Sequence, residues 1–225
     1  MKNRPEYQKT KEGDHLTLVC CIGADGVAMV PTLIFKGDTV PEIPTHGFSI
    51  CSSENGWIDN KIKENWMNHF IKFKPPGPVV LLLDGHTSNF SYEIEQLAKN
   101  NGITMIQFPS NSTHLLQPLD SNFFRILKDN LRYAISQYSK ENKMTKWDIM
   151  ELLVDPWHKS TAPGTIKKSF QIPGVYPINK EKWNLYFKGN NKEILSSIFG
   201  SKENETTQPS HSSQSVLSIS YFRYQ

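Results

Sequence analysis

Five consecutive apolar residues, Val79-Val-Leu-Leu-Leu83, stand between the breaker Pro75-Pro-Gly-Pro78 and the turn pair Asp84-Gly85. A run this short, closed at both ends, reads as a central strand buried on both faces. Such a strand needs cover on each side, so it commits the chain to a sheet with helices packed against it. The flanking segments supply them. His15–Ile22 and Val27–Phe35 enclose the turn Gly23-Ala-Asp-Gly26 and read as a β-hairpin, with Pro31 marking an edge position or a bulge. Asp59–Phe73 carries Ile62, Trp66, Phe70 and Phe73 at helical spacing, and Asp59 is placed to cap it. A helix over Ser91–Asn101 and a strand over Ile103–Phe108 follow, then the loop Pro109–Leu119. A long helix from about Ser121 to Lys140 has the inward stripe Phe124, Leu127, Leu131, Ala134, Ile135 and Tyr138. Shorter helical stretches at Trp147–Val154 and Thr165–Phe170 lead to Gly174-Val-Tyr-Pro177. The expected fold is an α/β domain with a mixed sheet flanked by helices.

Composition narrows the class. A 225-residue chain with 37% hydrophobic residues can bury a full core in one or two domains. No apolar run approaches the roughly 20 residues that span a bilayer, so no membrane partner is expected. Met1–Lys9 lacks the apolar centre of a secretory signal. Cys20, Cys21 and Cys51 form neither a disulfide framework nor a zinc knuckle, which suits a reducing intracellular compartment. A net charge of +3 permits polyanion binding without arguing for it. Residues 1–14 read as a polar extension and 15–180 as the folded domain. Residues 181–200 read as a C-terminal helical segment. The Ser-, Thr-, Gln- and Asn-rich stretch 201–225 has no periodic apolar pattern and reads as a disordered tail.

The residues with chemical promise are Asp84 and Asp120. Asp84 follows the apolar strand, and open α/β sheets place ligands at the carboxyl ends of their strands. Asp120 lies at the mouth of the helix after the next strand, so the fold can bring the two acids together. Paired hard oxygen ligands suit Mg²⁺, which keeps several waters. Two such ions about 3.5–4 Å apart serve phosphodiester chemistry. Each acid also has a structural reading: Asp84-Gly85 is a common turn pair, and Asp120 an acceptable helix cap.

The wording around the two acids is more specific than their spacing. Leu82-Leu-Asp84-Gly-His-Thr-Ser88 and Phe108-Pro-Ser-Asn-Ser-Thr-His-Leu-Leu-Gln-Pro-Leu-Asp120 closely resemble the second and third catalytic blocks of the DDE superfamily of transposase-derived endonucleases, in its pogo, Tigger and jerky branch. Ala24-Asp-Gly26 through Ile34-Phe-Lys-Gly37 is similar to that family's second and third strands. Phe170 with Gly174–Pro177 is similar to its closing element, so the resemblance runs from about Leu16 to Asn179. It implies an RNase H-like fold in which three acids hold divalent metals, Mg²⁺ or Mn²⁺, that cut and join DNA. On it Asp84 matches the second acid and Asp120 the third, both as catalytic metal ligands. The first acid belongs to a strand preceding the hairpin, so the fold is expected with its first strand missing. Asp25 is at the wrong end of the hairpin to replace that acid; Asp14 and Glu12 lie nearer the required edge.

Other residues have supporting expectations. His86, Thr113, His114 and Gln117 are read as loop-organising groups near the site, and His86 or His114 could alternatively orient phosphate or move a proton. Arg125, Lys128 and Arg132 share a helix face and are candidates for DNA-backbone contact, against the plainer reading of a solvated surface. The implied activity is nuclear, metal-dependent DNA cleavage and strand transfer, expected to be largely lost with one acid absent. The rival expectation is a non-catalytic, domesticated remnant that binds nucleic acid or protein. An open edge on Leu16–Ile22 should borrow a substitute strand or favour homo-oligomers.

Overall fold

The computed structural model describes residues 16–38, 40, 45–84, 90–108, 112–140, 147–186 and 215–224. Strands β1 (Leu16–Gly23) and β2 (Ala28–Lys36) form the hairpin, followed by β3 (Ser49–Ser53) and helix α1 (Asn60–Phe73). Strand β4 (Val79–Leu83), helix α2 (Tyr92–Asn100) and strand β5 (Ile103–Gln107) make a parallel crossover unit. A single turn, α3 (Thr113–Leu116), and a π-helical turn at Leu119–Phe123 introduce α4 (Phe124–Tyr138). Helices α5 (Ile149–Ser160), α6 (Pro163–Gln171) and α7 (Lys180–Tyr186) follow, and the last element is strand β6 (Ser215–Tyr224).

The local signals explain most of these elements. Asp59 accepts a hydrogen bond from the Ile62 amide at 2.8 Å and starts α1 as a side-chain cap. Gly26, at φ +98°, closes the hairpin turn in a conformation that L side chains resist. The β1–β2 register slips between Val19 and Cys21, across from the stretch containing Pro31, so the proline sits at an irregularity. The β2–β3 ladder begins at Thr32, which leaves Pro31 beyond it. Asp120 departs from its capping expectation. It lies within the first turn of the π segment, where the helix begins at Pro118 without a side-chain cap. Strand β3 is an addition, because the sequence reading ended its loop at Gly47 without assigning a strand.

The sheet runs β3-β2-β1-β6-β4-β5. β6 pairs antiparallel with β1 from Leu16↔Tyr224 to Gly23↔Leu217 and parallel with β4 from Val79↔Ser215 to Leu83↔Ile219. It is the link between the β1–β2–β3 half and the β4–β5 half. The edge of β1 expected to lack a partner is therefore paired along its length with a strand from the far end of the chain. The tail expectation for 201–225 does not hold over Ser215–Tyr224, and 201–214 lie outside the described residues. So do the polar extension 1–14 and 187–200 of the C-terminal helical segment, whose first residues form α7.

Two cores cover the sheet. One holds Leu18, Leu33, Leu82, Leu119, Phe123, Leu127, Trp157 and Phe170 beneath α4, α5 and α6. The other holds Ile34, Trp66, Phe70, Leu81, Leu83, Ile94, Leu217 and Ile219 beneath α1 and α2. Alternation along β4 explains the division, since Leu82 faces the first layer while Leu81 and Leu83 face the second. The architecture is the mixed, helix-flanked α/β sheet expected of an RNase H-like fold.

Candidate active site

Asp84 follows β4 directly and is buried. The two-residue period carries it onto the side of Leu82, the side covered by the π turn and α4. β5 runs parallel to β4, and the Phe108 amide donates to the Leu83 carbonyl at 3.0 Å, fixing the exit of one strand against that of the other. The chain is next described from Ser112, and the segment from there to Asp120 sets that acid within electrostatic reach of Asp84.

The delivering segment is tightly built. Backbone amides of Leu115 and Leu116 donate to the Ser112 carbonyl, making the α3 turn. The Gln117 carbonyl accepts from the Asp120 amide at 3.2 Å and the Ser121 amide at 3.0 Å. The Phe124 amide donates to the Leu119 carbonyl, five residues back, as a π turn requires. Ser121 Oγ donates to the Ser169 carbonyl at 2.9 Å, tying this turn to α6. The Asn122 side-chain amide also reaches Ser169 Oγ, at 3.5 Å.

Asp120 and Asp84 interact electrostatically. Asp120 is exposed as a residue, yet protein atoms around its carboxyl displace water. That desolvation and, second to it, the charge of Asp84 push its pKa up from 3.8 to about 6, while Lys128 pulls it down. The structure therefore brings together the two acids that the sequence singled out. Among the described residues, no group of three or more His, Cys, Asp or Glu side chains is placed to hold a metal. Two neighbouring carboxylates match the donor chemistry of one hard dication, whose remaining positions water can fill.

The backbone register also shows which residue of β6 adjoins Asp84. The β4–β6 ladder ends at Leu83↔Ile219, so one step further along the register sets Asp84 beside Ser220. Asp25 stays in the hairpin turn, accepting from the Val27 amide at 3.1 Å. Asp14 and Glu12 lie outside the described residues, as does His86, and nothing is described of the Thr113 and His114 side chains. Gln117 is fully buried, and its side-chain amide donates to the Ile219 carbonyl at 2.8 Å. The basic face is partly self-neutralised: Asp129 lies 4.0 Å from Arg125 and 3.4 Å from Arg132, all three exposed. Lys128 is the basic residue of this face whose charge reaches Asp120. Sequence reasoning missed Ser169 and the whole of β6. The alternation in Ser215-Val-Leu-Ser-Ile-Ser220 was the available signal for the strand.

Comparison with known proteins bears on the family of the chain. The family model described as DDE superfamily endonuclease matches residues 14–170, well over half of the chain. A Cochliobolus lunatus protein named MFS-type transporter clz9 is 30% identical over 199 residues, which cover 80% of this chain and 21% of that protein. Proteins named pogo transposable element with KRAB domain are 25% identical in Mus musculus and 24% in Homo sapiens. Both matches run over 144 residues, 60% of this chain and 23% of each relative. The chain thus spans between a fifth and a quarter of the length of these relatives. Among its described residues no helix is long and apolar enough to cross a membrane. No solved structure matches the chain.

Proposed function

Because the chain belongs to the DDE superfamily of endonucleases and shares pogo-like origin, we propose that it is a transposase-derived, DNA-binding domain with a reduced metal site and little cleavage of its own. The observation that carries this reading is the coupling of Asp120 to Asp84 with Ser220 at the adjoining register position. Asp84 and Asp120 would hold Mg²⁺ or Mn²⁺, and a bound ion of that kind supplies Lewis-acid polarisation of a phosphoryl oxygen. Two carboxylates balance one dication better than two, which disfavours the paired-ion arrangement of efficient strand cleavage.

The protein's own groups account for the rest. Asp84 directly follows a doubly buried strand, which would hold its backbone in place for a cation. Asp120 must lose its proton to ligate, and with a pKa of about 6 it is mainly ionised at pH 7. Lys128, with Arg125 and Arg132 in a lesser role because Asp129 competes for them, would set the DNA backbone beside the acids without reading its sequence. This work belongs in the nucleus. The rival reading, a domesticated remnant that binds nucleic acid or protein without any chemistry, draws on the same serine at position 220.

A plasmid-nicking assay in Mn²⁺, run beside a DNA gel shift, separates these readings. The chain is expected to shift DNA and to nick it slowly or not at all. Ser220→Asp should add the third carboxylate and raise nicking at least tenfold, a gain that Asp84→Ala or Asp120→Ala removes. Robust nicking by the unaltered chain, abolished by either alanine, would show that a complete site already exists. No DNA shift at low salt would sink the DNA-binding reading.

A further inference from the structure

We propose that Gln117 is a positioning residue that ties the placement of Asp120 to the seating of strand β6 beside Asp84. The proposal rests on the reading of the two acids as a cation site, and it assigns the device that assembles them. Two features of Gln117 converge. Its backbone carbonyl accepts the amides of Asp120 and Ser121, so Gln117 is the root of the turn that presents the acid. Its side chain, fully buried, donates to the carbonyl of Ile219, a residue 102 positions away in sequence.

Ile219 is where the site's parts meet. It pairs with Leu83 on one side, immediately before Asp84, and with Cys21 on the other. A hydrogen bond to its carbonyl therefore measures whether β6 is seated in register beside the end of β4. Chain connectivity does not ensure that seating, because β6 arrives after α7 and the intervening residues 187–214. Displacing the strand removes the acceptor for a buried amide, and that amide belongs to the residue anchoring Asp120.

A second observation points the same way. Gln117 Oε1 and Ser218 Oγ are buried without hydrogen-bond partners among the described residues. Had Gln117 evolved only to fill space, an apolar side chain would avoid an unpaired oxygen there. Its retained amide makes sense through the bond it donates. The carbonyl oxygen and the neighbouring serine are the cost of that bond.

The test uses the full chain with Gln117→Met, which keeps length and volume but has no donor. Amide hydrogen exchange at Asp120 and Ser121 is read by NMR, and Mn²⁺ affinity by electron paramagnetic resonance. Exchange at both amides should rise at least tenfold while Leu33, in the β1–β2 ladder, stays unchanged. Mn²⁺ affinity should fall about 10–100-fold, as when an outer-shell partner of a ligand is removed. Since the variant could lose β6 altogether, it is repeated on a Ser220→Cys background. That position faces Cys20 in the β1–β6 register, so oxidation holds the strand covalently. With β6 locked, Gln117→Met should still loosen Asp120. Unchanged exchange at Asp120 and Ser121 in the locked chain overturns the proposal, even if thermal stability drops. Faster exchange in a chain that never binds Mn²⁺ upholds the positioning role and overturns the cation-site reading instead.

Discussion

Strands β4 and β6 lie side by side in the middle of one sheet, run parallel, and could hardly differ more in composition. β4 is Val-Val-Leu-Leu-Leu, whereas β6 opens Ser-Val-Leu-Ser-Ile-Ser and ends in Tyr, Phe, Arg and Tyr. Over the residues whose burial is described, the two strands are alike: Leu81 and Ser218 are both fully buried, and Ile219 is 1% exposed. Location in the sheet, not the strand's own hydrophobicity, sets how deeply a residue is buried. The difference is on the face beneath the π turn, where β4 presents Leu82 and β6 presents Ser218 in the same register row. A small side chain there leaves space for buried Gln117, which a second leucine would contest. β4 serves as core, while β6 gives Leu217 and Ile219 to the core and the Ile219 carbonyl to Gln117.

Truncating matched leucines is the strongest way to break that comparison. Leu81→Ala in β4 and Leu217→Ala in β6 both remove a side chain from the core beneath α1 and α2. Each should cost about 2–5 kcal/mol in urea unfolding. Equal costs would mean that β6 belongs to the same cooperative unit as β4. A cost below about 1 kcal/mol for Leu217→Ala alone would mean that β6 adds little to global stability, and the sheet would then have two weakly joined halves.

The same contrast explains what the sequence disclosed. β4 could be read at once because an unbroken apolar run between breakers has few other meanings. β1, β2, α1, α2 and β5 followed from period and turn chemistry, and Asp59 announced its cap. β6 stayed hidden because its serines made it look like the polar stretch before it, and because strand pairing across nearly the whole chain leaves no local trace. Both acids could be named from their surrounding words, and their mutual coupling needed the fold. Gln117 was legible as a loop organiser, but its acceptor on β6 was not, since that partner lay in a segment read as tail. The π turn was equally invisible: Asp120 before a helical stripe has the appearance of a cap, and only the backbone shows it one step inside.

A finer comparison sets two buried hydroxyls against each other. Thr17 Oγ1, on β1, donates to the Gly56 carbonyl at 2.8 Å, while Ser218 Oγ on β6 has no partner among the described residues. Thr17→Val keeps shape and strands that carbonyl, so it should destabilise by about 1–3 kcal/mol. Ser218→Ala removes an unpaired group and should be neutral or stabilising by up to about 1 kcal/mol. Chemical denaturation of the two variants checks both signs. A loss above about 1 kcal/mol for Ser218→Ala would mean that its hydroxyl is bonded in solution.

The smallest effect concerns charge at the strand ends, where β4 is followed by Asp84 and the adjoining position on β6 is Ser220. Asp120 holds its proton up to about pH 6 in the folded chain and releases it near its ordinary 3.8 when unfolded. Below pH 3.8 both states are protonated, and above 6 both are ionised, so stability is flat in each range. Between them the folded state binds more protons, and stability must fall as pH rises. Because Asp120 is exposed, solvent screening limits this loss to about 1 kcal/mol. Asp120→Asn should remove the slope and be more stable at pH 7 by a similar amount, measured as urea midpoints across pH 4–7. Asp84→Asn should lower the Asp120 midpoint only in part, since desolvation is the larger cause and Asp84 the second. Ser220→Asp should shift it further up by placing a second negative charge on the β6 side. A carbon-13 titration of Asp120 that ignores both changes would mean that neither strand end faces it, and the acids would not share a site.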